Sequence, residues 1–257
     1  MKQAVAPKLK LPDLWSWAEG RIDPDVVVFT EARVPKDGVP AGWSAHWDPA
    51  GIDPKRRWGT VMAARDIELR EVTSVRVGMT RRPIGQAIPG TTVVADVVRD
   101  GERWAAVVGL YGLNVDRDGK RCGHGLHSMR RLVDDLSVLF RSRRGERLVL
   151  AGDFNLWPRD VHSSVRLREY GLVDLVEYTS RHRRPLTGCA SCAGAAGCGH
   201  LWTHRNGNSP NAAVQQIDYI LATEAMLPEL LAVYGGVGNF EDAWTASDHA
   251  PVVAEFV

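Results

Sequence analysis

No apolar run in the sequence approaches the ~20 residues that a membrane-spanning helix requires. The stretch from Met1 to Leu11 also lacks the apolar centre of a secretory leader. Insertion into a membrane is thus not expected, and a cytoplasmic, monomeric protein is. Lysine is scarce, occurring only at positions 2, 8, 10, 36, 55 and 120, so arginine carries most of the positive charge. Two readings fit that bias: recognition of phosphate by planar guanidinium groups, or codon usage in a GC-rich genome. Cysteine is limited to four residues, which in a reducing compartment do not form a disulfide framework. Charge of one sign is lacking too: the net charge of +1 and pI near 7.8 announce no polyanion partner. Apolar residues at 44% and charged residues at 25% are ordinary for a soluble globular protein, and 257 residues are enough to bury a core. With no internal repeat and no dividing linker, residues 1–257 are expected to form one domain.

Patterning predicts a short helix over Pro12 to Gly20 and a buried strand over Asp25 to Thr30, with Glu31 at its end. Further strands are expected at Trp43 to Asp48, Gly59 to Ala64 and Ile67 to Val77. Thr91 to Arg99 and Arg103 to Tyr111 flank Asp100-Gly101, a strong hairpin signal. Leu126, Met129, Leu132, Val133, Leu136, Leu139 and Phe140 fall at helical spacing between Gly125 and Arg143. A strand at Arg147 to Ala151, a helix at Val161 to Glu169 and a strand at Leu172 to Val176 follow. Strands resume at Leu201 to His204, Gln216 to Ala222, Leu230 to Tyr234 and Val252 to Phe256. Many strands interrupted by few helices predict an α/β (α+β) architecture of two packed mixed sheets with helices outside.

In such an architecture, polar chemistry sits where strands end. Leu148 to Ala151 delivers Asp153 and Asn155 to one side of a turn, because positions i and i+2 of extended chain point the same way. Ser247-Asp248-His249-Ala250-Pro251 forms a second such point beside the last strand. Strand ends also carry Glu31, Tyr111, Asn114 and Asp218. Several carboxylates with a histidine suit a hard divalent cation, Mg²⁺ or Mn²⁺, which takes oxygen ligands and needs only one or two carboxylates per ion.

The motifs Val-Phe-Thr-Glu31, Tyr111-Gly-Leu-Asn114, Gly-Asp153-Phe-Asn155, Ile-Asp218-Tyr-Ile and Ser-Asp248-His249-Ala-Pro stand in the order found in the endonuclease/exonuclease/phosphatase superfamily. From about Asp25 onward the chain resembles these exonuclease III-like and DNase I-like phosphoesterases. The resemblance implies a four-layer, DNase I-like sandwich and hydrolysis of a phosphodiester, most simply in nucleic acid, by an activated water. It implies Glu31 and Asp248 as metal ligands, and Asp153 and Asn155 as the pair that positions water and phosphate. It implies His249 as the residue facing the scissile phosphate, with Asp218 fixing its tautomer. Tyr111 and Asn114 correspond to residues that hold phosphate or leaving-group oxygens. Alternatives within the same resemblance are a small-molecule or phospholipid-headgroup phosphatase and a non-catalytic binding domain.

Two departures stand out. Family members begin with a core strand carrying an asparagine, whereas no asparagine precedes Asn114 here. The expectation is that the chain as given begins late, past that first core strand. The second departure is an insert at residues 188–204, where Cys189, Cys192, Cys198 and His200 have the spacing of a structural zinc knuckle. His204 or His182 are alternative fourth ligands, and a reduced loop and a redox disulfide are alternative states. Arg141 to Arg147, Arg181 to Arg184 and Trp157, just past the catalytic turn, are candidate nucleic-acid contacts.

Overall fold

The computed structural model describes residues 14–35, 38–47, 58–182, 199–206 and 212–257. Helix α1 (Leu14–Arg21) leads into β1 (Val26–Ala32), then β2 (Trp43–Trp47), β3 (Gly59–Arg65), β4 (Glu68–Glu71), β5 (Ser74–Val77) and β6 (Thr80–Pro83). The hairpin of β7 (Thr92–Arg99) and β8 (Glu102–Tyr111) turns at Asp100 and Gly101, both with positive φ, as its tight right-handed twist demands. Helix α2 (Leu126–Phe140), β9 (Leu148–Asp153), α3 (Pro158–Ser164), β10 (Leu172–Asp174) and α4 (Leu175–His182) come next. The chain finishes with β11 (His204–Arg205), β12 (Val214–Gln215), β13 (Asp218–Thr223), β14 (Leu230–Gly235), α5 (Gly236–Asn239), α6 (Ala243–Ala246) and β15 (Val252–Phe256).

One sheet runs β10-β13-β9-β8-β7-β4, and β8 and β9 lie parallel at its centre. Parallel neighbours need a long crossover, which α2 supplies. Its apolar stripe of Met129, Leu132, Val133, Leu136 and Leu139 buries against Val108, Leu110, Leu148 and Leu150 on one sheet face. On the other face, Val97, Ala105, Val107 and Val149 meet Met62 of β3, Val233 of β14 and Val252 and Ala254 of β15. The layer beyond consists of β2-β3-β1 and β15-β14, and Leu14, Trp15 and Ala18 of α1 cover the outer side of β1 and β3. The result is the predicted four-layer α/β sandwich, helix on sheet on sheet on helix.

Among the described residues the second layer has a gap. β1 and β15 are both edge strands among the described residues. Between them lies a cavity of about 330 Å³, lined by Val26 to Thr30, Ala250 to Phe256, Val107 and Val149, and by Asp153 and Asp218. No strand precedes Val26 among the described residues, so the gap falls where an additional strand of this layer would sit.

Local expectations shift in three places, and in one of them the strand expected over Leu201 to His204 is confined to His204–Arg205. The helix expected over Val161 to Glu169 begins earlier, with Pro158 as its first residue, and ends at Ser164, because Arg166 adopts a left-handed φ of 59° before a short 3₁₀ turn. The strand expected over Leu172 to Val176 stops at Asp174. The Asp174 carboxylate accepts N–H groups of Val176 and Glu177 and starts α4, a helix hidden by the apolar run.

Gly152 is required where it stands. Its φ is +146°, and a Cβ there would meet the Leu110 carbonyl oxygen of β8 at 1.9 Å. Gly152→Ala is expected to destabilise the protein by on the order of 3 kcal/mol, read by urea unfolding. A loss below about 0.5 kcal/mol would show that β8 and β9 are not this tightly apposed.

Candidate functional site

Register across the main sheet brings three polar residues into one row. Tyr111 on β8 is the partner of Asp153 on β9, and Asp153 is the partner of Asp218 on β13. Directly opposed residues share a face and sit close together, so two carboxylates meet where the strands end. The 2% exposure of Asp153 makes that meeting costly for ionised groups.

The turn after β9 holds the Asp153 side chain still. Asn155, at φ 51°, donates its backbone N–H to Asp153 Oδ1 at 2.8 Å. Its amide Nδ2 donates to Asp153 Oδ2 at 3.1 Å and to the Gly112 carbonyl at 2.8 Å. Asn114 Nδ2 donates in turn to Asn155 Oδ1 at 2.9 Å. Thus Asn114 and Asn155, expected beside phosphate oxygens, are joined in a network whose direct beneficiary is Asp153.

His249 completes the cluster. Its backbone N–H donates to Ser247 Oγ at 3.0 Å, and its Nδ1 lies 2.9 and 3.1 Å from the two Asp218 oxygens. Its Nε2 is 3.9 Å from Asp153 Oδ2. Burial opposes charge on all three groups. For His249, the nearby Asp218 carboxylate, its hydrogen bond and the Asp153 charge overcome burial and raise the imidazole above its ordinary range. For Asp218, the His249 charge and hydrogen bond, helped by Thr203, overcome burial and hold the carboxyl below its ordinary range. Asp153 goes the other way: burial, then repulsion from Asp218, lift it to about 7 despite His249 and the Asn155 N–H. One carboxylate is kept ionised and the other is poised near neutrality.

Glu31 sits at an irregularity of β1, with φ 48°, and the Tyr111 hydroxyl donates to its carboxylate. Glu31 is adjacent to Thr30, and Asp248 lies two residues before Ala250. Thr30 and Ala250 both line the cavity that Asp153 and Asp218 line. Asp248 belongs to a group with His204 and His249 whose potential ligand atoms lie within 4.8 Å of one another. Asp153, Asp218 and His249 form another, and Glu31 is in neither. The donors are rich in carboxylate oxygen, and among the described residues His249 is the cation set directly against Asp153 and Asp218. That is the chemistry a hard divalent cation satisfies.

Trp157 is 54% exposed, and its indole N–H donates to Gln215 Oε1 at 3.1 Å. The placement of Gln215 and His204 beside His249 was not legible in the sequence, because the pairing of β11 with β12 and with His249 is long-range and short. The arginine cluster after α2 is engaged elsewhere: Arg144 binds Asp96 and Arg147 binds both Glu229 oxygens. Arg147 also precedes β9 at the end away from Asp153, roughly 20 Å distant. Cys189, Cys192 and Cys198 lie outside the described residues, as do Arg183 and Arg184. His200 is described, with its ring 4.3 Å from that of Trp202. Among the described residues, no helix is long and apolar enough to cross a membrane.

Comparison with known proteins follows the same lines. The sequence profile described as Endonuclease/Exonuclease/phosphatase family matches residues 18–249. An AP endonuclease from Archaeoglobus fulgidus is similar in structure, with a TM-score of 0.63 and 18% identity over 95% of this chain and 93% of that one. So is a 3′ phosphatase, NExo, from Neisseria, bound to a product DNA hairpin, with a TM-score of 0.58 and 18% identity over 94% and 92%. At these identities the structures show a shared fold. No curated protein matches the chain significantly.

The buried charges have a consequence for stability. The Asp153 carboxyl, lifted to about 7 from an ordinary 3.8, keeps its proton longer in the folded state, so its contribution is lost as pH rises from about 4 through 7. The raised His249 acts in the same direction, losing its contribution as pH rises through its folded value. Without metal, the Tm of Asp153→Ala minus that of the wild type is therefore expected to grow between pH 5 and pH 8. A difference that stays flat over this range would show that Asp153 is not lifted.

Proposed function

The chain belongs to the endonuclease/exonuclease/phosphatase family, a family of phosphoesterases, and on that premise we propose that it hydrolyses a phosphodiester in nucleic acid with a divalent cation bound. The observation that carries this reading is the buried triad in which His249 bridges the ionised Asp218 and the poised Asp153. Hydrolysis of a phosphate ester needs an in-line water, relief of charge on the phosphoryl oxygens and help for the departing oxygen. Asp153, titrating near neutrality, accepts the proton of the attacking water. Asn155 holds that carboxylate in one orientation. Asp218 keeps the proton on His249 Nδ1, and the charged ring presents its Nε2–H to a phosphoryl oxygen. Tyr111 steadies Glu31 from the facing sheet. Held by Glu31 and Asp248, Mg²⁺ or Mn²⁺ would supply Lewis-acid stabilisation of charge on the phosphoryl and leaving oxygens.

Nucleic acid is favoured over a small phosphate ester by Trp157, an exposed aromatic with its indole N–H held by Gln215, beside the catalytic turn. A fixed aromatic face stacks on any base. The two similar structures, an AP endonuclease and a DNA-bound 3′ phosphatase, agree with that choice.

A panel of abasic DNA, single-stranded DNA, RNA and inositol phosphates, each with Mg²⁺ and with EDTA, tests the reading. Cleavage of a nucleic acid is expected with Mg²⁺ only, and Asp153→Ala and His249→Ala should each lower kcat by about 10²–10⁴-fold. Preference for inositol phosphates would move the protein to the small-molecule phosphatases. Wild type and variants equally inert on every substrate would make it a binding domain.

A further inference from the structure

A second imidazole stands beside His249. His204 and His249 face one another as an isolated antiparallel bridge. Arg205 N–H donates to the Asp248 carbonyl at 2.9 Å and Ala250 N–H to the Thr203 carbonyl at 2.8 Å, one bond on each side of the pair. The two residues are thus a non-hydrogen-bonded pair, the closer kind, and their side chains leave the strands on the same face. Their ring centroids are 4.6 Å apart at 54°. Both rings are largely buried.

The proton on His204 can be placed by elimination. Trp157 Nε1–H can only donate, and it reaches Gln215 at 3.1 Å, so Gln215 must turn its carbonyl Oε1 toward the indole. The other end of that amide, Nε2, then faces His204 Nδ1 at 2.8 Å and donates to it. With Nδ1 accepting, the neutral His204 ring carries its proton on Nε2. That nitrogen is 3.9 Å from Asp248 Oδ2, longer than a hydrogen bond. The same logic argues against His204, Asp248 and His249 as a metal site. Ligation through Nε2 needs a bare nitrogen, and baring it would require Gln215 to reverse and leave the Trp157 N–H facing another donor.

We propose that His204 and His249 form a two-imidazole subsite for phosphoryl oxygens, in which His204 Nε2–H is the second donor and Gln215 and Trp157 fix its tautomer. This rests on the phosphoesterase reading and deepens it. Two donors on adjoining strands can bind two oxygens of one phosphoryl group, which a single imidazole cannot. The link through Gln215 also joins the exposed Trp157 face to the reacting phosphate, so that an aromatic contact several residues from the chemistry is rigidly connected to it.

The test uses the full chain with ¹⁵N-labelled histidine, long-range ¹H–¹⁵N spectra, and inorganic phosphate as the probe in the presence of Mg²⁺. The expected result is an Nε2–H tautomer at His204 and phosphate-dependent shifts at both His204 and His249 with one midpoint. Phosphate that shifts His249 alone, or an Nδ1–H tautomer at His204, overturns the proposal and leaves the phosphoesterase reading standing. Shifts at neither ring count against both. On the best substrate of the panel, His204→Asn should lower kcat by about 10²-fold with KM changed only a few-fold. Because His204 is buried, Gln215→Met provides a second variant that keeps the ring: it should mix the two tautomers and weaken the His204 response to phosphate. Full kcat and an unmixed Nε2–H tautomer in Gln215→Met would overturn the role given to Gln215.

Discussion

The structure around the site depends on one electrostatic constraint: two carboxylates and an imidazole are buried together. Left to themselves, the buried Asp153 and the half-buried Asp218 would repel where charge is poorly solvated. His249 resolves half of that conflict by sharing its charge with Asp218, and the other half remains as the lifted Asp153. The surrounding polar network is organised around this imbalance. Asn155 and Gly112 lock the turn that carries Asp153, Asn114 locks Asn155, Thr203 supports Asp218 and Ser247 supports the His249 backbone. A hydrolytic site near neutral pH has use for an acid so poised, and the same imbalance invites a divalent cation.

The backbone makes that arrangement possible through close approach. Gly152 lets β9 lie against the Leu110 carbonyl, and Gly112 and Gly125 both sit where an added Cβ would strike the Phe154 carbonyl. Three glycines thus press the Tyr111, Asp153 and α2 segments together around one turn. The apolar face of α2 holds the parallel β8–β9 pair from behind, so the rigid core and the polar row share the same strands. By contrast, among the described residues β1 and β15, in the layer that carries Glu31, are both edge strands.

Much of this was legible in the linear sequence, for particular physical reasons. The period of α2 and the Asp100-Gly101 turn are local signals, and both appear as expected. Glu31, Tyr111, Asp153, Asp218 and His249 could be picked out because each stands at or beside the end of an apolar strand. Misjudged elements were those where a single polar side chain overrode an apolar run, as Asp174 does in starting α4. The arginines after α2 show a related limit: charge in sequence does not show which acids will face it, and Arg144 and Arg147 found Asp96 and Glu229.

Sequence by itself determined the chemistry available, since residue types and strand-end positions are local properties. It determined the sandwich class, because alternation and helical period are read over a few residues. Only the tertiary structure decided which groups act together: the register that sets Asp153 between Tyr111 and Asp218, the burial that lifts Asp153, and the bridge that places His204 beside His249. Those depend on pairings between segments far apart in the chain, and no local pattern encodes the partner across such a distance.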